Sequence, residues 1–209
     1  MFRLFIVPVL FCVVWGLSGC TQGTSVPTAQ KVAKVPHYHF IPDDGPYTPD
    51  ETDLRIRVKE AADFCKVNGL NNEVALFADL GLHSGSYRLF VVRLADGVVR
   101  YRGLVAHGSG KRGLEPGIRE YSNTSGSLLS ALGKYKTGTA YQGQFGLAYK
   151  LHGLEATNSK AYSRAIVLHA HECIPEQPFS GILCQSWGCP TVSTGFLQQL
   201  AKVIDASPV

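Results

Sequence analysis

A mainly β domain of the α+β class, with one helix ahead of the strands and a second closing the chain, is the fold the sequence predicts. Three observations predict it. Between Glu73 and His169, runs such as EVALFADL, YRLFVVRL and AIVLH have the length and the β-branched and aromatic content of strands. Asp96-Gly97 and Gln142-Gly143 separate neighbouring runs as hairpin turns do. Helical spacing of apolar residues appears only on either side of this region.

The chain opens with MFRLFIVPVLFCVVWGLSGC, in which Arg3 precedes an apolar run that ends in small residues. This is the pattern of a secretory leader. Pro8 interrupts the run and no basic stop signal follows it, which argues against a membrane-spanning helix. Leu17-Ser18-Gly19-Cys20 resembles the bacterial lipobox, which implies removal of residues 1–19 and attachment of lipid to Cys20 as the membrane anchor. Thr21 stands where sorting rules in Gram-negative bacteria place Asp for retention. The expected location is the cell envelope and, in a Gram-negative host, the periplasmic face of the outer membrane.

Residues 20–47 are rich in Thr, Ser, Gln and Pro and short of aliphatic clusters, as a flexible tether is. His37 and His39 lie in it without nearby carboxylate or thiol partners and are read as solvated. The remaining residues, 48–209, suffice for one domain with its own core and are too few for two.

Within that domain, Thr48-Pro49-Asp50-Glu51 reads as a capping box with proline at the first helical position. Leu54, Val58, Ala61, Ala62 and Cys65 follow at helical spacing, and Asn68-Gly69 supplies the left-handed stop. Cys65 is thereby expected in the core as a small hydrophobe. The strand runs come next, with Asp96-Gly97 turning into VVRYRGLVAHG. From Gly108 to Leu132 the chain is rich in Gly and Ser and has no period. KYKTGTAY and FGLAYKLHGL form a second pair, and AIVLH (165–169) reads as a buried strand ending at a histidine. Ser193 caps a final helix bearing Phe196, Leu197, Leu200 and Ile204.

A formal net charge of +4 is neither gathered in a run nor interleaved with aromatics, so no nucleic-acid partner is expected. The chemistry lies between Leu168 and Ser193, in LHAHECIPEQPFSGILCQSWGCPTVS. Cysteine attack requires a thiolate, a basic partner, and amide donors aimed at the developing oxyanion. Cys189 is assigned as nucleophile and His169 as base. Gly188 lets backbone amides and a substrate carbonyl approach closely.

LFVVRLADGVVRYRGLVAHGSG, SRAIVLHAHE and CQSWGCPTVS resemble the catalytic domain of murein L,D-transpeptidases, over about Leu76 to Ala201. Ser186 to Pro190, Ser-Trp-Gly-Cys-Pro, matches one branch. The better-known branch has Ser-His-Gly-Cys, so Trp187 and Pro190 are departures from it. The resemblance implies a sandwich of mixed β-sheets, no cofactor and no metal. It places Cys189 as nucleophile and His169 as base, with Ser186, Gly188 and the amides around them at the site. The implied substrates are peptidoglycan stem peptides. The thiolate attacks the diaminopimelyl carbonyl of a tetrapeptide, D-alanine leaves, and an amine or water resolves the thioester.

Neighbouring residues admit two readings each. His171 shares a strand face with His169, and the resemblance favours His169 as base. His107 either borders the cleft or is a satisfied core histidine. Arg164 holds a stem-peptide carboxylate or makes a sheet-edge ion pair. Tyr141, Phe145, Tyr149 and Trp187 line a groove or cover the core, with Trp187, beside the nucleophile, assigned to the cleft. Cys173 and Cys184 flank a short loop and are expected to form a disulfide contributing on the order of 2–3 kcal/mol. A Cys184–Cys189 pairing would instead silence the thiol. Two other functions stay open: a degenerate domain that binds peptidoglycan without turnover, and a zinc site built from His169, His171, Cys173, Cys184 and Cys189, whose spacing suits a tetrahedron poorly.

Overall fold

The computed structural model describes residues 4–8, 33–35, 51–110 and 119–206. Cys20, His37, His39 and the capping residues Thr48 to Asp50 lie outside them. The described residues form ten strands and two helices: β1 (Leu4–Pro8), β2 (Ala33–Val35), α1 (Glu51–Val67), β3 (Val74–Ala78), β4 (Leu89–Arg93), β5 (Val99–Gly103), β6 (Arg119–Tyr121), β7 (Gly133–Gly143), β8 (Gly146–Gly153), β9 (Val167–Ala170), β10 (Thr191–Val192) and α2 (Thr194–Ala206). Strands in sheets with a helix at each flank are the mainly β, α+β class the sequence predicts.

Eight strands form one mixed sheet in the order β10-β9-β8-β7-β1-β3-β4-β5, and β2 pairs with β6 in a small antiparallel ribbon. β1, within the expected leader, runs parallel to β7 and antiparallel to β3. β2 falls within the expected tether. Past β5 the chain reaches Ala106, which bridges to Thr191 of β10, so the two ends of the sheet are tied together. That tie brings the Gly- and Ser-rich middle of the chain against the Ser186–Cys189 segment, with Gly108 bridged to Ser186.

Alternation along the strands sends side chains to two faces. On one, Ala75, Phe77, Phe90 and Val92 pack under Val58, Ala61 and Cys65 of α1. Cys65 is fully buried, as its helical spacing predicts, and burial pushes its thiol up to about 11. On the other, Leu76, Val91, Tyr135, Tyr149, Leu151, Leu168 and Val192 form the main core with Phe196, Leu197, Leu200 and Ile204 of α2. Burying side chains of this size contributes about 1.5–3 kcal/mol each. The N-terminus of α2 is capped as expected: Ser193 Oγ accepts from the Phe196 amide at 3.2 Å, and Glu176 accepts from the Gly195 amide at 2.9 Å. The helix thus anchors the chain just past Cys189 and β10.

Two boundaries differ from expectation. The β7–β8 turn falls on Gln144-Phe145, two residues beyond Gln142-Gly143, because both strands continue pairing to Gly143 and Gly146. The strand expected from Ala165 starts at Val167. Ala165 has φ +55 and closes a turn in which its amide donates to Tyr162 and the Ile166 amide to Ala161.

Candidate active site

β9 and β10 run in parallel with Thr191 opposite His169. Cys189 lies two residues before Thr191, which sets it beside the backbone of Val167. The Val167 N–H donates to Cys189 Sγ at 3.5 Å, and the thiol donates to the Ala165 carbonyl at 3.7 Å. The left-handed turn at Ala165 is therefore part of the site.

The Ser186–Cys189 turn is held from both ends. Ser186 Oγ donates to the Cys189 carbonyl at 2.6 Å and accepts from the Gly188 amide at 3.2 Å. Ser130 Oγ donates to the Gly188 carbonyl and accepts from the Gly108 amide, both at 3.0 Å. The Ser186 amide donates to the His107 carbonyl at 3.0 Å, and the Ser109 amide to the Ser186 carbonyl at 2.9 Å. Gly188 has φ +116, and a Cβ there would lie 2.9 Å from the Leu129 carbonyl oxygen. Glycine is thus required twice, by conformation and by space. Among the described residues the Cys189 amide has no hydrogen-bond acceptor, which leaves it available to an incoming oxyanion.

His169 is buried and its tautomer follows from its partners. Nδ1 lies 2.9 Å from the Ala170 carbonyl, which can only accept, so Nδ1 carries the proton. Nε2 keeps its lone pair and accepts from the Thr191 hydroxyl at 3.0 Å. Phe145 stacks on the ring with centroids 4.9 Å apart. Burial holds the imidazole below its ordinary pKa, helped by His171 and opposed by the Ala170 hydrogen bond. Burial pushes the Cys189 thiol above the ordinary thiol value, while the Val167 N–H and the Arg164 guanidinium pull it down. The thiol, in the turn ahead of β10, and the imidazole, on β9, are both neutral at rest, each hydrogen-bonded to other groups rather than to each other.

The other predicted residues divide. Arg164 gives its guanidinium to the Ser122 and Leu129 carbonyls and to Ser127 Oγ, so it braces that loop and sets a positive charge near the thiol. His107 is a buried histidine whose Nδ1 meets the guanidinium of the fully buried Arg88 at 2.9 Å. His171 shapes its own loop, Nδ1 accepting from the Cys173 amide at 3.2 Å. Trp187 is 78% exposed beside the turn. Tyr149 belongs to the core, its hydroxyl donating to Asp205. Cys173 and Cys184 form the expected disulfide, with Cα atoms 6.2 Å apart, which leaves Cys189 free and removes two thiols from the zinc set. Thr191, Ser130, Gly108 and Arg88 were not singled out from the sequence. Thr191 stands two residues from Cys189, so of these four it alone is close to the motif in sequence.

The model of the L,D-transpeptidase catalytic domain matches residues 50–209. Neither the search of curated proteins nor that of solved structures returned a match. The matched span covers the greater part of the chain, and the chain belongs to this family, whose activity is peptidoglycan transpeptidation.

Proposed function

From this membership and the site geometry, we propose that the chain is an exported, lipid-anchored L,D-transpeptidase using Cys189 as nucleophile on peptidoglycan stem peptides. The supporting observation is an unpaired thiol at the head of β10, next to the strand that carries a neutral histidine with its lone pair on Nε2. Sγ attacks the diaminopimelyl carbonyl of a stem tetrapeptide. The thiol proton passes to His169 Nε2, the nitrogen that the Thr191 hydroxyl orients at 3.0 Å. The Cys189 amide donates to the oxyanion. Collapse breaks the C–N bond, the departing D-alanine amine takes the proton from His169, and a thioester remains. An amine of a neighbouring stem attacks the thioester, loses its proton to the imidazole, and releases the thiol.

Arg164 serves here by charge and by bracing, without touching substrate. Cys20 provides the anchor that places the domain at the wall. The test is incubation with purified disaccharide tetrapeptide and mass analysis of the products. Cross-linked dimer with loss of alanine is expected, and none from Cys189→Ala. Tripeptide alone would make the enzyme a carboxypeptidase, and no product with retained wall binding would make it a binder.

A further inference from the structure

The outer face of β7 and β8 carries basic and aromatic side chains that the reaction leaves unused. Lys136 pairs with His152 in the β7–β8 register, and Lys150, two residues from His152, shares its face. Tyr162 folds over this row. Its ring stacks on His152 at 4.8 Å, and Lys150 Nζ lies 5.2 Å from its centroid and 5.7 Å from that of Tyr141. Both tyrosines are exposed. Gly138 provides the space, since a Cβ there would come 2.7 Å from His152 Nε2. Like charges meet at this spot: burial, then Lys136 and Lys150, hold His152 below its ordinary pKa.

The same face holds the imidazole. Ala148 of β8 pairs with His169, and Lys150 pairs with Val167, whose amide donates to the Cys189 sulfur. At about 4.8 Å per strand, Lys150 stands on the order of 10 Å from the thiol.

We propose that this face is a binding subsite for an acidic glycopeptide polymer, with sugar rings against Tyr141 and Tyr162 and stem-peptide carboxylates on Lys150 and Lys136. Charge complementarity and continuity with the His169 face select this occupant, and the proposal rests on the peptidoglycan reading above. A strand lying there presents one stem to Cys189 while its neighbours hold the enzyme in place.

The test is sedimentation of the full chain carrying Cys189→Ala with insoluble peptidoglycan, with insoluble chitin as the same kind of glycan without carboxylates. Binding to peptidoglycan is expected to exceed binding to chitin and to fall as salt is raised. Lys150→Glu combined with Tyr162→Ala should weaken it about tenfold, equivalent to about 1.4 kcal/mol, and Lys150→Arg should retain it. A thermal melt matching that of the parent shows that the double variant is folded. Equal sedimentation of parent and folded double variant, equal binding to chitin, or no sedimentation of the parent would overturn the subsite. Thioester formation on a soluble tetrapeptide is scored separately on the unmodified chain. If the thioester forms without patch-dependent sedimentation, the subsite alone fails. Patch-dependent sedimentation without thioester removes the transferase reading alone.

Discussion

Thr191 and Ala170 together fix the orientation of the buried imidazole of His169. The Ala170 carbonyl fixes the proton on Nδ1, and the Thr191 hydroxyl fixes where the lone pair of Nε2 points. Thr191→Val keeps the shape and removes the hydroxyl, so thioester formation should fall roughly tenfold or more, with Thr191→Ser restoring most of it. Equal rates for all three would show that the hydroxyl has no part. The pKa directions make a second prediction. His169 lies below the ordinary imidazole value of 6.5, so the base stays neutral at pH 7 and is lost only as pH falls through that lowered value. Cys189 lies above the ordinary thiol value of 9.0, so iodoacetamide, which needs the thiolate, should label it slowly at pH 7 and keep accelerating beyond pH 9. Fast labelling that is flat below pH 7 would instead indicate a standing thiolate–imidazolium pair. That Cys189, His169 and Gly188 lie together could be anticipated, because they stand close in sequence on either side of one loop. The place of Ser130 could not, since serines are common and its partner, Gly188, is 58 positions away.

At the scale of elements, the Ser186–Cys189 turn depends on contacts from a segment with no periodic pattern. Leu128 itself has φ +59, and the stretch around it supplies Ser130 and the Leu129 carbonyl against which Gly188 packs. Gly188→Ala places a Cβ against that carbonyl and the Ile166 side chain in a conformation L residues rarely adopt. It should cost about 1–3 kcal/mol of stability and about a hundredfold in thioester formation, checked by denaturant melts and acylation rates. A variant with parental values in both would mean the turn is more pliant than its packing implies. α1, α2 and the β4–β5 hairpin could be read from spacing and turn residues, because local preference and tertiary packing agree there. β9 could not be bounded, because an apolar run does not disclose that Ala165 is in a left-handed turn. β6 could not be anticipated either, since its three residues are strand by virtue of pairing with β2.

For the whole molecule, one sheet serves two purposes. Its inner face buries the core under α2, and its outer face presents His169 in line with the Tyr141–Lys150–Tyr162 cluster. The tie between Ala106 and Thr191 joins the ends of the sheet two residues from Cys189. β1 adds a dependence that composition does not disclose: cleavage ahead of Cys20 would withdraw Leu4–Pro8 from between β3 and β7 and leave both facing edges to pair anew. The central claim is that acyl transfer runs through the Cys189 sulfur with His169 as its base. The most direct measurement is the intact mass of the protein after brief exposure to disaccharide tetrapeptide, with the adduct located by peptide mapping. One acyl group on Cys189 is expected, of substrate mass less alanine, abolished by Cys189→Ala and slowed at least about a hundredfold by His169→Ala. An adduct on another residue, or one that forms as fast without the imidazole, would contradict it.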